Sequence, residues 1–556
     1  MKHFLLFTIT IFISFGLSSQ DINTGKDALV YLASDNLEGR FPGTKGDENS
    51  ISYLQEKFDA YGLKAFDFDF VQKFEIVTKI FPSESTYATL NGAKLEIGKD
   101  FTPMSFSADK ELSGKLIYID ENVPSDSLVG NWALVNLSDK DGENYSYIDL
   151  IKIAMQTADM HAAGVVFVGL DGNELFPFKY SRTVASIRIP VIQITHDALL
   201  IAMNACSFDG KEITVENLKS LKGNGKVLDL AANVEIVKEM SATANVASYI
   251  ECKSSNDWII IGAHYDHLGY GGDGSGSRAP ELNEVHNGAD DNASGVGLVL
   301  MLAEYYAQHA PKINIAFVLF GAEEQGLIGS KYFVENIPHQ ISNIKMMINY
   351  DMVGRFGDNG LSIMGGTSAE QFDSVLNIYQ TDEMPLRIGG GGFSGSDQAS
   401  FYSEKIPVLF FSTGMHSDYH TPDDDIDKIN FDGMLKVAEF SINVIADFSK
   451  EDLVLTFKES ERKEGGRHGG EMKVKLGIMP DMTSRESNGL GVDGVTPGGV
   501  ADVSGIVKGD KIIEIGGKEI TGIYEYMHVM SEFKPGQEVQ AIVIRDGEKI
   551  KVDIKF

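Results

Sequence analysis

The stretch DWIIIGAHYD, residues 257–266, decides how this chain is read: an almost wholly apolar run ends in a histidine and, two positions on, an aspartate. Three later runs share this build: INIAFVLFG (313–321), IKMMINYDMV (344–353) and IPVLFFSTG (406–414). Short and apolar, they are predicted as strands buried on both faces. Helix-like segments lie among them at 294–310, 327–336, 369–379 and 431–448. This alternation predicts an α/β fold with a doubly wound, mostly parallel sheet, and such sheets carry ligands at the carboxyl ends of their strands.

Polar residues collect at those ends. The first run ends in His264 and Asp266, the second leads to Glu323 and Glu324, the third to Asp351, and HSDYHTPDDD after the fourth holds His416 and His420. HNGADDNASG (286–295) sets Asp290 and Asp291 among small residues just before an apolar segment. Each has an ordinary structural account: a lone histidine is mostly a surface or hydrogen-bonded residue, a glutamate pair a solvated face, an Asp/Asn/Gly cluster a turn and helix cap. Gathered at the ends of otherwise apolar strands, they are better explained as a metal centre. Imidazole with carboxylate suits borderline divalent ions, zinc first.

The 556 residues are too many for one core. Lys plus Arg number 48 against 80 Asp plus Glu, a formal charge of −32 without a basic run, which argues against nucleic acid and anionic membrane surfaces as partners. Residues 1–19 read as a signal peptide: Lys2, an apolar stretch at 4–17, then small residues, with an uncleaved anchor as the alternative. No cysteine follows for a lipid anchor, so a secreted or periplasmic protein without stable membrane insertion is expected. Cys206 and Cys252 exclude a disulfide framework and leave one bridge open.

Residues 20–95 hold a helix at 26–36, the loop EGRFPGTKG (38–46), a second helix and the alternating segment FDFDFVQKF (66–74). Residues 96–227, with the β-like runs KLIYI and WALVNL and a helix ending in HAAGVVFVG, resemble a protease-associated domain. Polar, glycine-rich sequence predicts a linker, placed at 456–470 and spilling over in ERKEGGRHGGEMK (461–473). Residues 471–556, including KLGIMP and GLGVDGVTPGGVADVSGIVKGDKIIEIGGKEI, resemble a PDZ domain. There the loop at Leu476, Gly477 and Ile478 would offer amides to the carboxylate of a peptide or protein C-terminus.

The motifs GAHYDHLG, NGADDNASG, GAEEQGLIGS, NYDMVG and DYHTPDD, in that order, resemble the di-zinc aminopeptidases of metallopeptidase family M28. EGRFPGTKG resembles the family's N-terminal part, so 20–95 and 228–455 are expected to form one peptidase domain around the insert at 96–227. The resemblance implies two zinc ions, His264 and Asp351 binding one, Glu324 and His420 the other, and Asp291 shared by both. It implies Glu323 as general base toward a metal-bridged hydroxide, Asp266 as the residue orienting His264, and Tyr419 near the developing oxyanion. It also implies a cis peptide bond between Asp291 and Asn292.

The expected reaction is removal of the N-terminal residue from peptides. An excess of site carboxylates favours a free α-amine on the substrate, although carboxypeptidase or dipeptidase action stays open. HExxH and G-x-S-x-G are absent, which counts against thermolysin-like and serine-hydrolase chemistry. A glutaminyl-cyclase-like enzyme would need one zinc, whereas the full set His264, Asp291, Glu324, Asp351 and His420 favours two and hydrolysis. The reading from another class is a catalytically inactive binding protein that works through its protease-associated and PDZ domains. Among neighbouring residues, His267 and His416 are expected at the surface or on the substrate side, and Asp423, Asp424 and Asp425 in a solvated turn. GGGGFSGSDQ (389–398) reads equally as a rim loop, with Asp397 close to the site, or as a plain loop.

Overall fold

The structure is a computed structural model and describes residues 19–120, 123–138, 145, 147–169, 172–178, 186–206, 213–221, 228–272, 274–390, 395–459, 474–480, 488–496 and 498–556. The expected signal segment, save its last residue, and the glycine-rich stretch 461–473 lie outside the described residues. Among the described residues no helix is long and apolar enough to cross a membrane. The chain divides into two compact units, 1–74 with 243–271 and 282–463, and 75–242 with 272–281 and 464–556.

In the first unit, DWIIIGAHYD forms the strand Asp257–His264 at the centre of a nine-stranded sheet. It runs parallel to Asn314–Phe320 on one side and Asn343–Tyr350 on the other, and the latter runs parallel to Val408–Ser412. Antiparallel neighbours flank this block: Ile236–Ile250 beside Asn314–Phe320, and Leu361–Met364 beside Val408–Ser412. The central strands are buried along nearly their whole length, so both faces must be covered.

Helices Ser19–Leu32, Gly295–Gln308 and Phe431–Phe448 pack together over the large core that holds Ile259, Ile261, Phe317 and Ile348. Ile328–Glu335 and Gln398–Ser403 cover the other face, where Phe320, Phe333 and Phe401 meet. Each such fully buried side chain contributes about 1.5–3 kcal/mol. The doubly wound fold expected from the sequence is present. Register brings the strand ends level: His264 pairs with Phe320, three residues before Glu323, and Tyr350 pairs with Phe411, so Asp351 emerges at the same edge.

Two local expectations are corrected. FDFDFVQKF is not one alternating strand: Asp69 and Phe70 adopt φ of 53° and 66°, making a turn, and the strand starts at Val71. The turn lets Phe66 and Phe70 enter different cores. The helix expected at 369–379 shrinks to Phe372–Leu376 and a 3₁₀ turn at Asn377–Tyr379.

The second unit carries two further sheets. Eight strands between Tyr87 and Val234 form a mixed sheet around Trp132, Phe101 and Val166, with helices Tyr147–Asp159 and His196–Ala205. This sheet takes in Tyr87–Leu90 and Leu228–Val234, which lie outside 96–227. Residues 474–556 build a six-stranded sheet with helix Ile523–Glu532 around a core of their own. Cys206 and Cys252 are both free thiols.

Candidate metal centre

At the carboxyl edge of the first sheet, Asp291 stands between two imidazoles. Its Oδ1 is 3.3 Å from His264 Nε2 and its Oδ2 is 3.1 Å from His420 Nε2. Asp351 Oδ1 lies 3.6 Å from the same nitrogen of His264, and Glu324 Oε1 lies 3.2 Å from that of His420. Two donor groups result, His264 with Asp291 and Asp351, and His267 with Asp291 and Glu324, each with its ligating atoms within 4.8 Å of one another. Both contain Asp291. Two overlapping sets of imidazole and carboxylate that share one carboxylate fit two borderline divalent ions, and all these residues are buried.

The backbone delivers these side chains with little freedom. Asp266 Oδ1 accepts the amide of Glu323 at 3.0 Å and its Oδ2 that of Glu324 at 3.2 Å, so one buried carboxylate fixes the pair of glutamates. His264 Nδ1 faces the Asp266 carbonyl at 3.2 Å, with the carboxylate at 3.7 Å, so the ring meets the backbone of Asp266 rather than the expected side chain. Ala322, Met352 and His420, each a site residue or its neighbour, have φ of 57°, 57° and 58°. Such left-handed geometry in non-glycine residues costs about 1–3 kcal/mol and gathers at functional sites. The Asp291–Asn292 peptide bond is cis.

Carboxylates dominate the electrostatics. Burial opposes charge on His420, yet Glu324 and Asp291 outweigh it and push its pKa up to about 10. At His264 burial is likewise outweighed, here by Glu323, Asp351 and Asp291. Burial and Glu324 would raise Asp291, but its bonds to His264 and His420 hold it below the usual carboxylate range. Burial lifts Glu323 well above that range, Glu324 and Asp397 adding to it, and lifts Asp266 to about 7. Excess buried negative charge of this kind is the condition a divalent cation relieves. Half-buried Tyr419 stacks on His420 with ring centroids 3.8 Å apart, and burial and the carboxylates raise its phenol.

Among the neighbours, the solvated turn expected at 423–425 is contradicted, and of the two positions expected for His267 the surface one is excluded. His267 is buried, not at the surface, its Nδ1 3.0 Å from Glu324 Oε1. His416 is half-buried, its Nε2 3.3 Å from Asp290 Oδ2. The expected solvated turn at 423–425 is exposed only at Asp423: Asp424 is buried and accepts the amides of Asp290 and Asp291 at 3.0 and 2.9 Å. Asp397 is buried, its pKa raised by burial to about 7, although 391–394 of its loop lie outside the described residues.

Arg40 of EGRFPGTKG was not singled out. Its guanidinium is buried and, among the described residues, donates to the carbonyls of Leu32 at 2.5 Å, Asn287 at 2.6 Å, Tyr265 at 2.7 Å and Gly288 at 3.2 Å. Gly39 beside it has φ 69°, and a Cβ there would lie 2.5 Å from the Gly269 carbonyl, so only glycine fits. That glycine was the signal available in the sequence.

A doubly wound sheet that gathers imidazoles and carboxylates at its carboxyl edge offers a place for metal ions where such sheets carry their ligands. Residues 245–445 match peptidase family M28 and residues 474–556 match the PDZ domain family; this chain is a metallopeptidase with an M28 domain and a C-terminal PDZ domain. It is 25% identical over 415 residues to an aminopeptidase of Pseudomonas aeruginosa, covering 69% of this chain and 68% of that one. Over 127 residues it is 35% identical to a probable zinc metalloprotease of Pyrenophora teres, covering 22% of this chain and 25% of the other. A solved zinc aminopeptidase from Bacillus subtilis aligns with a TM-score of 0.46 at 18% identity, over 77% of this chain and 94% of that one.

Proposed function

We propose that this chain is a secreted or periplasmic, zinc-dependent aminopeptidase that holds two zinc ions and removes the N-terminal residue from peptides. The observation that carries the reading is Asp291, whose two oxygens face the imidazoles of His264 and His420 at 3.3 and 3.1 Å. His264 and Asp351 would hold one ion, His420 and Glu324 the other, and Asp291 both. When bound, zinc supplies Lewis acidity toward the scissile carbonyl and makes water a nucleophile near neutral pH.

The remaining chemistry belongs to the chain. Glu323 takes the proton of the attacking water and passes it to the leaving amine, from a backbone position that Asp266 fixes. Asp266 holds the Glu323 and Glu324 amides, so the base and the ligand beside it keep a fixed separation. Tyr419 stays protonated and donates to the carbonyl oxygen as charge develops there. Carboxylates left over after metal binding hold the substrate's α-ammonium. We assign the eight-stranded module as a protease-associated domain, and residues 1–19 as the signal that exports the chain.

The test is metal content together with a substrate panel. The purified chain is expected to hold two zinc ions, to lose activity with chelator, and to cleave aminoacyl-anilides but not their N-blocked analogues. A zinc-free active protein, or equal cleavage of blocked and free substrates, refutes the proposal.

A further inference from the structure

Three loops bring Asp291, Asp351 and His420 together, and Asp291 faces the His420 imidazole across the metal centre. A second cluster, made of non-ligand residues, ties these loops to one another. Asp424 Oδ2 accepts the amides of Asp290 and Asp291 at 3.0 and 2.9 Å, and the Asp424 carbonyl accepts that of Ala289 at 2.8 Å. The other oxygen of Asp424 receives Arg355 Nη2 at 2.7 Å, while Arg355 Nη1 reaches Asp418 at 2.6 Å and Nε lies 3.6 Å from Asp290 Oδ2. Asp290 Oδ1 in turn accepts the Gly354 amide at 2.7 Å and the Ser294 hydroxyl at 3.0 Å. One guanidinium therefore joins the loop of Asp291, the loop that follows Asp351 and the loop that carries His420.

The chemistry suits this task. A guanidinium presents several donors in a rigid plane and can grip two carboxylates at once, which a lysine ammonium on a flexible stem cannot do with fixed geometry. Asp424 and Asp290 are buried, so their ties are not loosened by solvent. A carboxylate accepting two consecutive amides also fixes the peptide plane from which the Asp291 side chain departs.

We propose that Arg355 and Asp424 are positioning residues that set the spacing of Asp291 and His420, and through it the affinity of the His420-side position for zinc. The inference rests on the two-zinc reading above. The Asp291 and His420 loops are linked directly by Asp424, whereas His264 is held by its own strand and by Asp266. Asp351 follows directly on the strand Asn343–Tyr350, whereas His420 lies in the loop between Ser412 and Ile426, so loss of the knot frees His420 more and weakens the ion on its side more.

The experiment titrates zinc into the chelator-stripped full chain against a competing chelator, for wild type, Asp424→Asn, Arg355→Met and Arg355→Lys, and records the absorption of the cobalt-loaded forms. Wild type is expected to bind two equivalents. Asp424→Asn and Arg355→Met should keep one near wild-type affinity and lose ~10–100-fold in the other, the scale on which residues behind metal ligands act. Excess zinc should restore kcat, and Arg355→Lys should fall in between. If Arg355→Met does not fold, Arg355→Lys and Asp424→Asn decide the matter. Unchanged affinity for both equivalents with an unchanged cobalt spectrum, or equal loss of both, overturns the inference while leaving the two-zinc reading standing; a wild type that binds no zinc removes that reading instead.

Discussion

Arg40→Met tests the claim that the segment before the insert completes the metal centre. The substitution keeps much of the aliphatic stem and removes every donor. Four carbonyls at 2.5–3.2 Å lose a charged partner. Each buried acceptor left without its bond costs about 1–3 kcal/mol. Against that sum stands relief of several kcal/mol from no longer burying an ion, a cost visible in the Arg40 pKa, which burial lowers to about 10 against the raising effect of Asp266 and Asp291. The difference is a net loss on the order of 4 kcal/mol. For a domain of this size that is roughly 10 °C in Tm. The assay is calorimetry of the full chain with and without zinc, following the peptidase transition. Because Asn287 and Gly288 lead into Asp291, and Tyr265 sits between His264 and Asp266, activity should fall as well. A drop under about 3 °C with full activity would show that the carbonyls find other partners and that the reasoning is wrong.

Other perturbations separate the roles within the site. Asp291→Ala should lower bound zinc from two equivalents to one or none and activity by about 1,000-fold or more, since both donor groups lose their common member; elemental analysis beside rate measurement checks it. Glu323→Gln should lower kcat by about 100- to 10,000-fold with zinc content intact, and an unchanged rate would remove it as the base. Asp47, pushed up to about 6 chiefly by burial, gives a pH signature. Its folded-state pKa is raised, so its contribution to stability is fully present below pH 3.8 and is lost as pH rises through 6. Asp47→Asn should flatten that part of the stability profile, and parallel profiles for the two proteins would contradict it.

Much of the centre was legible because a buried strand leaves its end residues few roles. DWIIIGAHYD has a period and length that fit a covered strand, and its terminal His264 and Asp266 then fall at the ligand edge of the sheet. The motifs supplied Asp291, Glu324, Asp351 and His420, which the structure gathers within a few ångströms. What stayed hidden has a common cause. Asp424 and Asp290 look like any turn aspartate in a polar run, and only tertiary contact with backbone amides and with Arg355, more than 60 residues away in sequence, buries them. Arg40 was hidden more deeply, because its partners are carbonyls, which every residue has. FDFDF misled because alternation cannot register that Phe66 and Phe70 belong to two different cores.

The reach of Arg40 also bears on when activity can begin. Its acceptors at Tyr265, Asn287 and Gly288 lie 225, 247 and 248 residues downstream, and the core beneath them closes only with helix Phe431–Phe448. A ribosome adding about 5–20 residues each second needs on the order of a minute to reach that helix. Until then neither the Arg40 ties nor the core that backs the Asp291 loop can be complete, so the two ends of the peptidase domain must both be made before its metal centre can form.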